Sequence, residues 1–138
     1  MNWTIAKGCI LTLSFTYGVY TDIKSREIPN VVPITIFLSG LIEFSPLNSC
    51  LGFVIIGLVF LLSAMFGNMG GGDIRLMAAS GFALGLWGGI LQTVIGLSFA
   101  VLYALGVRII KKKKDIRHLA VPLAPFLGVG GILAHILK

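Results

Sequence analysis

The hydrophobic pattern of the chain is a series of long apolar runs separated by short polar breaks, with little amphipathic alternation inside any run. Six segments stand out, at about 3–20, 31–44, 50–66, 74–87, 89–110 and 119–137. The second and fourth are short for a full bilayer crossing, and the glycine pair Gly88-Gly89 marks the break between the fourth and fifth. The pattern predicts an all-α polytopic bundle of about six transmembrane helices, with residues 1–138 forming a single membrane-embedded domain. The first run is a retained helix and not a cleaved signal, because Lys7 interrupts its start and Tyr17-Gly18-Val19-Tyr20 offers no small-residue cleavage site.

Composition sharpens this picture. Only 12% of the residues are charged and mean hydropathy is +0.98, against roughly 25% charged in a soluble domain. The net charge of +6 sits beside apolar segments and forms no groove-filling surface, which excludes nucleic acid as a partner. It reads as topology-setting charge. The run Arg108, Lys111, Lys112, Lys113, Lys114 and Arg117 marks a cytoplasmic loop. Alternating six spans from that loop puts 21–30 and 67–73 on the same side and both termini on the other. Lys24, Arg26 and Arg75 then join the cytoplasmic cations, leaving Lys7 and Lys138 outside. The same lysine run is suited to anionic membrane lipids, with Asp115 as a local charge partner.

Eighteen glycines are unevenly spread. Gly81, Gly85 and Gly89 recur every four residues and predict a bare helix face against which a neighbouring backbone can lie. Cys9 and Cys50 lie in different apolar stretches without any CxxC spacing and read as small core residues, so no zinc site or disulfide is expected. His118 and His135 are 17 residues apart, which excludes an HExxH metal site. No G-x-S-x-G supports a serine nucleophile. No metal and no cofactor is expected.

The five acidic residues carry the chemistry. Glu27 lies in a polar loop and Glu43 near the outer end of the second segment, where water can solvate both. Asp22 follows the first helix directly, and Asp73 opens the fourth segment after Gly70-Gly71-Gly72. The topology read from the lysines puts both at the cytoplasmic face. Two carboxylates brought together at the rim of an apolar bundle share a proton, so that one can act as base and the other as acid without a metal. Glycines before Asp73 leave room for a substrate backbone, and the helix start favours ionised Asp73. Lys24, Arg26 and Arg75 are the cations available to tune the pair or meet substrate. Taken singly, Asp22 is also an ordinary interfacial residue and Asp73 an ordinary first-turn acid.

Gly70-Gly71-Gly72-Asp73 fits the G-x-G-D signature of membrane aspartic proteases. Asp22 with Arg26, Ile28, Pro29 and Asn30, and the closing Val121-Pro122-Leu123-Ala124-Pro125-Phe126-Leu127, complete a pattern that resembles the type IV prepilin peptidases. The resemblance runs from the end of the first segment to the last. It implies about six helices, Asp22 and Asp73 as the catalytic pair, and Gly70 and Gly72 as loop glycines. It also implies cleavage of short basic leaders from prepilin or pseudopilin precursors at the cytoplasmic face of a prokaryotic inner membrane. Arg75 departs from the lysine common in G-D-x-K-L, exchanging a compact ammonium for a planar, weakly hydrated cation. With no CxxC-bearing extension, the chain resembles the short peptidase-only form, any N-methylation then requiring another protein. The competing class is a non-catalytic small transporter or pilus-assembly scaffold, in which the two aspartates pair with cations or bind an ion.

Overall fold

The computed structural model describes residues 3–67, 70–111 and 123–137, and the regular structure among them is entirely α-helical. Five helices follow one another: α1 (Trp3–Ser25), α2 (Val31–Gly40), α3 (Pro46–Phe66), α4 (Gly71–Lys111) and α5 (Leu123–Leu137). The all-α expectation holds. The expected count of about six spans holds only in part: α3 and α4 are long and apolar enough to cross a membrane, while α2 and α5 are shorter apolar helices. The residues 112–117 of the basic run, His118, Lys138 and the first two residues of the proline-rich motif lie outside the described residues.

The predicted fourth and fifth segments are the two arms of α4, which is broken between them. Gly85 sits at φ 77, ψ −179, a backbone region open essentially to glycine alone. A Cβ on Gly89 would lie 3.4 Å from the Cα of Gly81, whereas eight residues of straight helix would separate such positions by about 12 Å. The two arms, 71–84 and 86–111, therefore fold back on each other. The break falls at Gly85 and not at Gly88-Gly89. Asn48 of α3 explains the position: its side-chain Oδ1 accepts the Leu86 N–H at 3.0 Å, supplying a partner for an amide at the start of the second arm. The four-residue glycine spacing does not line one face of one helix. It is divided across the bend, where Gly81 meets the α3 backbone so closely that a Cβ would lie 2.5 Å from the Gly52 carbonyl oxygen.

α4 packs against α2, α3 and α5, and α1 against α2 and α5. Leu11, Phe15, Val32, Ile36, Leu76 and Leu84 form one apolar cluster, and Ile56, Phe60, Met77 and Leu127 a second. Proline ends the linker before α3, at the first helical position where its missing N–H costs nothing. Thr12 and Thr16 return their hydroxyls to the carbonyls of Gly8 and Thr12, so these polar groups on an apolar helix are satisfied.

The two ends of the bundle differ. At one, the His135 ring nitrogen lies 3.1 Å from the Thr4 carbonyl oxygen and the Thr4 hydroxyl donates to Glu43. Glu43 also meets Lys7 at 3.5 Å. Lys7 is buried, 1% exposed, so Glu43 is a partner to an interior cation and not the simply solvated acid expected near the outer end of the second segment. At the other end lie 26–30 and 70–73, tied by a 2.6 Å hydrogen bond from Arg75 Nη1 to Asn30 Oδ1. Cys9 and Cys50 are free and exposed, not core residues as expected, because each lies on the outward side of its helix.

Candidate active site

Asp22 lies one turn before the end of α1. Its carbonyl accepts the N–H of Arg26 at 2.8 Å, and Arg26 closes the helix in the left-handed conformation, φ 55. This reversal starts the extended stretch ahead of Pro29, where the helix cannot continue. Asp73 occupies the first turn of α4, ahead of the apolar stretch 74–87, and its N–H donates to the Gly70 carbonyl at 3.2 Å. Both aspartates thus sit at the polar end of the bundle, outside the apolar segments.

Of the turn glycines, Gly72 is the one required by a close approach: a Cβ there would lie 3.1 Å from the Cβ of Ile28. Gly71 has open space and Gly70 only the distant Asp73 carboxylate. Gly72 is therefore what allows the α4 turn to press against the segment following α1. That contact brings Asp22 and Asp73 to one open cavity of about 390 Å³, with Arg26, Glu27 and Ile28 on one side and residues 70–73 with Arg75 on the other.

The carboxyls are not equivalent. Burial holds Asp22 above the ordinary carboxylate value, the Ala124 backbone N–H and the nearby Arg26 guanidinium offsetting only part of that rise. Asp73 lacks that help: burial, then the facing Asp22 carboxylate, push it up to about 6. The helix start, expected to favour ionised Asp73, is outweighed by these two effects. Both carboxyls are thus raised, Asp73 the more strongly, and the pair titrates together. Asp22 Oδ2 is buried with no hydrogen-bond partner among the described residues, leaving an acceptor lone pair unclaimed beside the cavity.

The three candidate cations separate. Arg26 acts on Asp22. Arg75 lines the cavity but is committed through one nitrogen to Asn30. Lys24 does not line the cavity; its ammonium lies 5.7 Å from the centre of the Tyr20 ring. Glu27, Asn30 and the Ala124 amide were not among the site residues expected from the sequence. Asn30 carried a signal, as the residue closing the Asp22 motif, whereas a backbone amide has none.

Two carboxyls lining one open cavity have the chemistry to supply an acid and a base. Residues 9–105, a stretch that includes both aspartates, match the family model described as the type IV leader peptidase family. A prepilin leader peptidase/N-methyltransferase of Bacillus subtilis (strain 168) is 30% identical over 130 residues, an alignment covering 84% of this chain and 49% of that protein. The chain thus spans about half the length of this curated relative. No solved structure matches. With the family match extending over most of the helical bundle and across both carboxyl-bearing turns, the chain belongs to the type IV leader peptidase family.

Proposed function

We propose that this protein is a membrane aspartic endopeptidase that removes the short basic leader from type IV prepilin or prepilin-like precursors at the cytoplasmic face of the inner membrane. The observation that carries this reading is the convergence of Asp22 and Asp73, 51 residues apart in the chain, on one open cavity at the polar end of an apolar bundle. Family membership supplies the reaction class. Large outward-facing apolar side chains such as Leu13, Leu58, Val94 and Leu102 support a bilayer surround, and basic residues at the site end support its cytoplasmic orientation.

In the proposed reaction, ionised Asp22 takes a proton from a water held between the carboxyls, and the water oxygen attacks the carbonyl carbon of the scissile peptide. Protonated Asp73 donates to the carbonyl oxygen, stabilising the charge that develops there. The tetrahedral intermediate collapses as the C–N bond breaks, and the proton held by Asp22 passes to the departing amine. Both carboxyls return to their starting states once Asp73 recovers its proton.

The test is co-expression with a tagged prepilin in a membrane host, reading electrophoretic mobility and the N-terminal sequence of the product. Wild type removes the leader. Asp22→Asn and Asp73→Asn each lose activity by about 10²–10⁴-fold, the usual worth of a general acid or base. Cleavage persisting in both variants excludes the aspartate pair, and a precursor left intact by well-expressed wild type excludes that substrate.

A further inference from the structure

A second depression begins where the cavity ends. Asn30 and Arg75 form the mouth of an apolar groove of about 520 Å³, with Ile34 and Phe37 of α2 on one wall, Phe53 of α3 on the other, and Ala78 and Ala79 of the first α4 arm between them. The stacked pair Phe37 and Phe82, with ring centres 4.1 Å apart, lies at its far end. Arg75 to Phe82 spans seven helical residues, about 10 Å or two turns.

Three observations identify what fits there. Arg75 lines both the cavity and the groove, so the two are continuous. Arg26, Glu27 and both aspartates line the cavity but not the groove, so the surface runs from a polar cavity of mixed charge, past Arg75, to an apolar trough. Its floor is alanine, the residue size that lets a second helix come close in lipid. A chain whose polar, cleavable stretch leads into an apolar helix matches this order in one direction only. A lipid tail fills the trough but has no use for a mouth joined to two carboxyls.

Resting on the peptidase reading above, we propose that the groove between α2, α3 and the first α4 arm seats the first two turns of the substrate's apolar helix, immediately after the scissile bond. The leader lies on the cavity side, and Arg75 stands at the junction. Arg75 is a positioning residue. Asn30 holds one guanidinium nitrogen, and the remaining donors face the main-chain carbonyls of the extended peptide before it becomes helical. The groove thereby fixes which peptide bond reaches the carboxyls.

The test uses the full chain in detergent or liposomes with two substrates, a complete precursor and a soluble peptide that spans the cleavage site but lacks the helix. Ile34 is exposed and outside the apolar clusters, so Ile34→Trp narrows the groove without disturbing the core. The expected result is a KM for the precursor raised about tenfold at unchanged kcat, the signature of lost binding, with a much smaller change for the peptide. Equal changes for both substrates, or no change for either, overturn the proposal. A photoreactive residue at Ile34 captures the precursor helix, whereas one at the outward-facing Leu102 does not; equal capture at both, or capture of lipid alone at Ile34, also overturns it. Wild type cutting neither substrate counts against the peptidase reading, and cross-linking from Ile34 still decides whether the helix docks.

Discussion

Gly85→Ala tests the bend in α4. The residue stands at φ 77, ψ −179, where an L-residue costs about 1–3 kcal/mol. An added Cβ would also lie 2.5 Å from the Asn48 side-chain nitrogen. Asn48 must then move, and its 3.0 Å bond from the Leu86 N–H is lost, at about 0.5–1.5 kcal/mol. Together these predict a loss of about 1.5–4.5 kcal/mol. Gly106 is the internal control: it is helical, with nothing within 4 Å of its Cβ position. Gly106→Ala should therefore gain about 0.5–1 kcal/mol from helix propensity alone. Both variants are measured by reversible unfolding in detergent, using Trp87, two residues beyond the bend and exposed, as the fluorescent reporter. Opposite signs are expected. A Gly85→Ala protein as stable as wild type, or one that moves in the same direction as Gly106→Ala, would refute the claim that a glycine-only backbone holds the two arms together.

Asp73, raised to about 6 from an ordinary 3.8, holds a proton in the folded protein at pH values where the unfolded chain has released it. The stability this contributes is complete below about pH 4 and is lost as pH rises through 6, so Asp73→Asn should melt higher than wild type at pH 7.5 and lose that advantage in acid. On the proposed mechanism, kcat/KM for precursor cleavage falls over the same rise through 6, read from a pH–rate profile. Arg26→Gly relieves a left-handed non-glycine residue, gaining about 1 kcal/mol in unfolding measurements, yet it removes the cation that favours ionised Asp22, so the acid limb of the pH–rate profile should move upward. At the opposite end, Glu43→Ala leaves buried Lys7 without this carboxylate and should cost more than Lys7→Met, by about 1–2 kcal/mol in detergent unfolding, the partial exposure of Glu43 reducing the usual buried-pair penalty.

The helical class and the meeting of Asp22 with Asp73 were legible because both follow from coarse signals, long apolar runs and the alternation of basic loops. The bend was misplaced by three residues. Gly88-Gly89 looks like the break on local chemistry, but the partner that stabilises the reversal is the side chain of Asn48, on another helix, and no local pattern reports it. The same limit applies to Lys7. A single lysine in an apolar run looks like an interruption until the fold brings Glu43 to it from 36 residues away. The helix start that favours ionised Asp73 is visible in sequence, while the burial and the neighbouring carboxylate that act against it are tertiary.

The hydrogen bond from the Ala124 amide to Asp22 ties the first helix to the last in chain order. Until α5 is made and inserted, Asp22 lacks that donor, and α1 lacks one of the two helices it packs against. A nascent chain that holds both aspartates but not yet α5 therefore holds a site that is not yet assembled. On the proposed mechanism, the carboxylate that acts as base is fully supported only once the final helix is in place.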